Sequence, residues 1–107
     1  MNLRQKQSLF VYLIGKLIMY AYTLPGVEFT FGESFDDDGI GHMKNSNHYI
    51  RLAQDLNLFV DGIYIKDGSN SIYKNLGEKW ESYHPLCRWG GRFGDANHFS
   101  LEHEGRK

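Results

Sequence analysis

The sequence predicts an α+β fold, a small antiparallel sheet packed against two main helices. Residues 2–22 repeat apolar side chains at three- and four-residue spacings, residues 52–59 alternate along a strand, and Asp61-Gly62 joins that strand to a returning Ile63-Tyr64-Ile65 run. At 107 residues the chain suits one domain, spanning 1–107.

In the first element, Leu9, Phe10, Leu13, Ile14, Leu17, Ile18 and Ala21 form one broad apolar stripe, with Arg4, Gln5, Gln7 and Lys16 outside it. A membrane-surface helix carries more Lys and Arg on its polar face, so core packing is the better reading. Pro25-Gly26 stops the helix. Val27, Phe29 and Phe31 then alternate with Glu28 and Thr30 as a short strand. Residues 32–45 read as a loop, and its acidic run Asp36-Asp37-Asp38 lacks the ligand spacing of a calcium-binding EF-hand.

The strand over 52–59 places Leu52, Gln54, Leu56 and Leu58 on one face and Ala53, Asp55, Asn57 and Phe59 on the other. A carboxylate inside such a strand has to be paired, protonated or bound to a cation. Ser69 or Ser71 is positioned to cap a second helix running to Tyr83, with Ile72, Leu76, Trp80 and Tyr83 on its buried face and Pro85 beyond its end. Residues 88–94 are glycine-rich, residues 98–103 alternate again, and residues 104–107 read as a frayed tail.

Composition removes several classes of function. A formal net charge of −1 without a basic cluster argues against a nucleic-acid binder held by phosphate contacts. The single cysteine, Cys87, forms no internal disulfide and reads as a small buried hydrophobe. Arg4 and Lys6 precede an apolar run that resembles a signal sequence, but Lys16 interrupts it and no small-residue cleavage site follows before Pro25. The expectation is a protein made without a signal peptide. The uninterrupted apolar stretch is too short to span a bilayer, so no membrane partner is expected.

The chemistry centres on two segments. His48 lies seven residues before Asp55, and Asp95 lies three before His98. If the strands bearing Asp55 and His98 are neighbours, two imidazoles and a carboxylate can converge on one metal with an open position, an arrangement that suits catalytic zinc. Asp95 is then placed to lean over the site as a base without being a ligand. Solvated or hydrogen-bonded structural roles for the same residues remain open at this point, and His42, His84 and His103 are further histidines to be told apart from ligands.

The strings Lys44-Asn45-Ser46-Asn47-His48, Arg51-Leu52-Ala53-Gln54-Asp55-Leu56-Asn57-Leu58-Phe59, Trp80-Glu81-Ser82, Trp89-Gly90-Gly91-Arg92-Phe93 and Asp95-Ala96-Asn97-His98-Phe99-Ser100-Leu101-Glu102 occur in this order. Together they closely resemble the M15 family of zinc peptidases, above all its small phage-encoded members, over essentially the whole chain. The Ser-x-His-x6-Asp element followed by Asp-x-x-His is the family's signature. The resemblance implies a Hedgehog/DD-peptidase-like fold and Zn2+ held by His48, Asp55 and His98, with Asp95 as catalytic base. It implies hydrolysis of a peptide bond in peptidoglycan stem peptides by a monomeric phage lysin-type enzyme, made in the host cytoplasm and acting at the cell wall. Ser46, Arg51, Trp89 and Arg92 are candidates for substrate contact, although Arg51 and Arg92 also fit surface or structural roles and Trp89 also fits packing beneath Gly90-Gly91. The chain departs from the family pattern at Ser34-Phe35-Asp36-Asp37, where members usually carry an arginine. That departure keeps a second expectation in view, a weakly active or inactive zinc-binding wall-binding or structural module of the same fold. A metal-free domain with a hydrogen-bonded Asp55 is the third.

Overall fold

The structure, a computed structural model, describes residues 1–32 and 50–107. Its elements form an α+β arrangement, so the predicted fold class holds. Helix α1, Leu3–Ala21, starts at an Asn2 cap whose side chain accepts from the Gln5 amide while the Gln5 side chain accepts from the Asn2 amide. This reciprocal pair satisfies two amides that the first helical turn leaves without intrahelical partners. The helix buries Phe10, Leu13, Ile14, Leu17 and Ala21, five members of the predicted stripe, with Leu9 and Ile18 at its margins.

Strand β1, Val27–Phe31, and strand β2, Ala53–Val60, pair antiparallel, with Val27 opposite Val60 and Phe31 opposite Leu56. Asp61 and Gly62 both have positive φ, at 52° and 79°, as a two-residue primed turn requires. They return the chain into β3, Ile63–Tyr64, which pairs with β2. Helix α2, Ser71–Tyr83, is capped by Asn70, whose side-chain oxygen accepts from the Ile72 amide. The cap is therefore neither Ser69 nor Ser71. Ser69 is engaged instead by Asp67, which takes both its amide and its hydroxyl.

Two features of the C-terminal third differ from the sequence expectation. Cys87–Trp89 forms a strand, β4, and Gly90–Phe93 forms a short 3-10 helix, where the sequence suggests only a glycine-rich connection. A three-residue strand is too short to show alternation, and its pairing with β5, His98–Leu101, is supplied by tertiary context. The tail is also not frayed. His103 and Arg106 exchange both backbone hydrogen bonds, at 3.1 and 2.9 Å, around Glu104 and Gly105, whose φ values are 50° and 82°. Glu-Gly is a weaker form of the Asn-Gly turn signal, which explains why it escapes notice in the sequence.

The sheet order is β1-β2-β5-β4, so β2 and β5 lie at its centre. One face carries Leu52, Leu56, Leu58, Phe99, Leu101, Cys87 and Trp89 into a core shared with both helices. Trp80 of α2 is fully buried there, edge-on to Phe10 and Phe99. Its indole N–H points at two carbonyl oxygens, Arg88 at 3.0 Å and Ser100 at 3.1 Å, and so ties the helix to β4 and β5 at once. Among the described residues no helix is long and apolar enough to cross a membrane.

Candidate metal centre

The register of β2 against β5 places Asp55 directly opposite His98 and Ala53 opposite Ser100. Because alternate residues of a strand share a face, Asp55 and His98 both project from the side of the sheet opposite the leucine core. Asp95 reaches the same place from the turn preceding β5. The Asp95 amide donates to the Gly90 carbonyl at 2.8 Å, and the His98 amide donates to the Asp95 carbonyl at 3.1 Å. Gly90 is required by this close approach. A Cβ there would lie 2.1 Å from the Asp95 carbonyl oxygen and 2.6 Å from the His98 Cβ, both far inside van der Waals contact.

Neighbouring strand positions hold the turn. The Leu56 amide donates to the Asn97 carbonyl at 2.9 Å, and the Asn97 side-chain amide donates to Asn57 Oδ1 at 3.1 Å. Asn57 lies on the same face as Asp55, two residues along β2, so a single strand supplies a site carboxylate and the support for the turn bearing Asp95. The Asp55 carbonyl accepts from the Gly32 amide at 2.8 Å, which extends the β1 side of the sheet to the level of the site.

His98 Nδ1 lies 3.5 Å from Asp55 Oδ1 and 3.9 Å from Asp95 Oδ2. Ligand-capable atoms of Asp55, Asp95 and His98 all fall within 4.8 Å of one another. The three differ in exposure: side-chain values are 7% for His98, 16% for Asp55 and 52% for Asp95. On its other side, His98 Nε2 is 2.8 Å from the main-chain oxygen of Lys107, which also accepts from the Ser100 hydroxyl. A main-chain oxygen only accepts, so the ring proton belongs on Nε2 and donates to Lys107.

That assignment supplies the test of whether a metal fits. With its proton on Nε2, a neutral His98 turns its Nδ1 lone pair towards two carboxylates, and Asp55 Oδ1 is fully buried. Facing electron-rich atoms at this spacing call for a positive charge between them, either a proton on Nδ1 or a bound cation. Burial alone disfavours the imidazolium. The hydrogen bonds to Asp55 and Lys107 and the charges of Asp55 and Asp95 nonetheless outweigh it, holding the His98 pKa above its ordinary 6.5. One imidazole nitrogen and carboxylate oxygens are donors that zinc accepts, and a ring N–H given to a carboxylate or main-chain oxygen is the usual outer support of a metal-bound histidine. The residues present fit the ion.

Residues 40–101, more than half of the chain, match the family of D-alanyl-D-alanine carboxypeptidases among the M15 peptidases. The chain belongs to the M15 peptidase family. No individual curated protein matches it. The M15 segment contains Asp55, Asp95 and His98, so the clustered side chains and the family match coincide in sequence as well as in space.

The other M15 candidates fall in different places. His48 and Ser46 lie outside the described residues, as do His42, Lys44 and the acidic run. Arg51 is exposed at the turn entering β2, with a φ of 57°. Trp89 is only 6% exposed, its ring set where a Cβ on Gly77 or Gly91 would fall within 2.0–2.2 Å of it, and its indole N–H donates to the Ala96 carbonyl at 2.7 Å. Its packing thus supports the turn carrying Asp95. Arg92 forms a two-point pair with Glu81, at 2.7 and 3.3 Å, and its guanidinium lies 5.3 Å from the Trp89 ring centre. His84 Nδ1 accepts from the Leu86 amide, and His103 Nδ1 lies 3.0 Å from Lys6 Nζ, so both have structural partners. Sequence reasoning missed Gly90, Asn57, Asn97, Ser100 and Lys107. Of these, Asn57 and Ser100 carry a signal in the pattern, by alternating with Asp55 and with His98.

Proposed function

We propose that this chain is a zinc-dependent peptidase that hydrolyses a peptide bond in peptidoglycan stem peptides. The observation that carries the reading is the convergence of Asp55, His98 and Asp95 on one face of the central strands, within the segment that matches the peptidase family. In this reading Asp55 and His98 Nδ1 hold Zn2+, and His48 joins them on the strength of the sequence motif. When bound, zinc supplies a Lewis acid for the scissile carbonyl and lowers the pKa of water at the site.

The chain's own residues divide the remaining work by exposure. Asp55, largely buried and inside a strand, is fixed in place and suited to holding a cation. Asp95, half exposed on a turn, is open to water and substrate and suited to accepting a proton from the attacking water and returning it to the departing amine. His98 has its Nε2–H committed to Lys107 and is therefore a holder of charge, not a carrier of protons. The lysin-type setting, with synthesis in a phage-infected cell and action at the wall, rests on the sequence resemblance.

The test is mass spectrometry of muropeptides released from cell walls by the zinc-loaded protein, with D95N as the control. Release of fragments cut at one stem-peptide bond by the wild type, with little from D95N, is the expected result. Intact stem peptides after exposure to zinc-loaded wild type would sink the hydrolase reading, and wall binding without cutting would leave the inactive wall-binding module in its place.

A further inference from the structure

We infer that the C-terminal turn is a positioning device for His98: residues 103–107 fold back so that the Lys107 main-chain oxygen, steadied by Ser100, fixes the ring and aims Nδ1 at Asp55. The inference rests on reading Asp55 and His98 as metal-holding residues and goes beyond it, because it assigns a role to a segment outside the matched family region of 40–101.

Two donors on one strand face meet a single acceptor. His98 and Ser100 are two residues apart on β5, and both are buried, at 5% and 0% exposure. A buried hydroxyl and a buried ring N–H each need a partner, and a main-chain oxygen has lone pairs for both. The Lys107 oxygen takes both. Rotating the imidazole away from the site would break the Nε2 bond in a place shielded from water.

The turn that delivers this oxygen is fastened on both sides. His103 and Arg106 close it with two backbone bonds, and Glu104 and Gly105 supply the positive φ values it needs. Upstream, the Glu102 amide donates to the Leu86 carbonyl at 2.8 Å and the Glu102 carboxylate pairs with Arg88 at 3.3 Å. From α1, Lys6 reaches His103. The turn thus delivers the chain to β5 one residue before Lys107, whose oxygen meets His98 and Ser100 there.

Three full-length variants test this. Gly105→Val places a β-branched residue at φ 82°, where it is strained, and should swing the Lys107 oxygen away. Glu104→Asn keeps the turn, since Asn-Gly favours the same geometry. Ser100→Ala leaves the turn intact and removes one of the two donors. Two readouts are used, neither involving substrate: zinc affinity by competition with a chelator, and exchange with water of the His98 Nε2 proton in metal-free protein by nitrogen-resolved NMR. The expectation for G105V is a zinc affinity about 10- to 100-fold weaker, the range seen when outer support of a metal ligand is removed, and a fast-exchanging ring proton. S100A should show a smaller change in the same direction, and E104N should match the wild type. The inference is overturned if G105V keeps wild-type exchange and affinity, or if E104N loses as much as G105V. Should G105V fail to fold, S100A decides through the same exchange measurement. A protein that held its ring proton but bound no zinc would uphold the positioning role and refute the metal reading, so the two failures are distinguishable.

Discussion

On the helix-facing side of β2 and β5, Leu52, Leu56, Leu58, Phe99 and Leu101 are fully buried in one apolar cluster. On the opposite side of the same two strands, Asp55, His98 and Ser100 are held by polar contacts to Asp95 and Lys107. The backbone is shared, but the forces are not. Burial of hydrocarbon is non-directional and scales with area, so the first face sets how stable the fold is. The second face depends on distances of a few tenths of an ångström, so it sets whether the side chains meet in usable geometry.

Damage to the core face costs the most. Trp80→Ala removes a fully buried indole and the N–H that serves both β4 and β5. It should cost about 3–5 kcal/mol in denaturant unfolding, the range for large aromatic deletions. Trp80→Phe should cost less, with the difference reporting the two hydrogen bonds.

From the other face, Asp95→Asn should leave unfolding free energy and zinc content unchanged while lowering hydrolysis by roughly 10²–10⁴-fold, the usual contribution of a general base. Loss of zinc in D95N would make Asp95 a ligand and move the base elsewhere. Gly90→Ala tests the joint between the two faces. Its Cβ would collide with the Asp95 carbonyl and His98 Cβ, so the turn must shift, at a cost of about 1–3 kcal/mol. Its effect on zinc retention should exceed that of an equally destabilising core substitution, measured by metal content after dialysis.

The polar face also responds to pH, which the leucine face does not. His98 has a folded pKa above 6.5, so its protonation stabilises the metal-free protein. That contribution is fully present below the unfolded value and is lost as pH rises through the folded one. Zinc acts in the opposite sense, since it needs a deprotonated Nδ1. Across this window the melting temperature of chelated protein should fall with rising pH, and the gap between zinc-loaded and chelated protein should widen. A gap independent of pH would detach His98 from the metal. The smallest effect is expected at Cys87, where burial pushes the thiol up to about 12. Alkylation of native protein at mildly alkaline pH should be far slower than of denatured protein.

The leucine face was readable from sequence because alternation and helical spacing are local patterns. So were the Asp61-Gly62 turn and the face assignments of Asp55 and His98. What was not readable came from contacts between distant segments. Cys87–Trp89 is a strand only because β5 lies beside it, and Gly90 matters only because the Asp95 carbonyl returns to it. The Lys107 main-chain oxygen leaves no side-chain signature at all. The Asn70 cap was missed for a different reason, that three polar residues compete for one position and local geometry chooses among them.

The placement of β2 and β5 at the middle of the sheet order has a kinetic consequence. Strands with partners on both sides exchange their amide hydrogens through the largest openings of a fold, while edges and turns open more readily. The amides of Gln54 and Phe99, which face each other across β2 and β5, should therefore be among the slowest to exchange. Asp55 and His98 would then separate only when the sheet as a whole comes apart, so gradual heating should cause site loss and global unfolding to coincide.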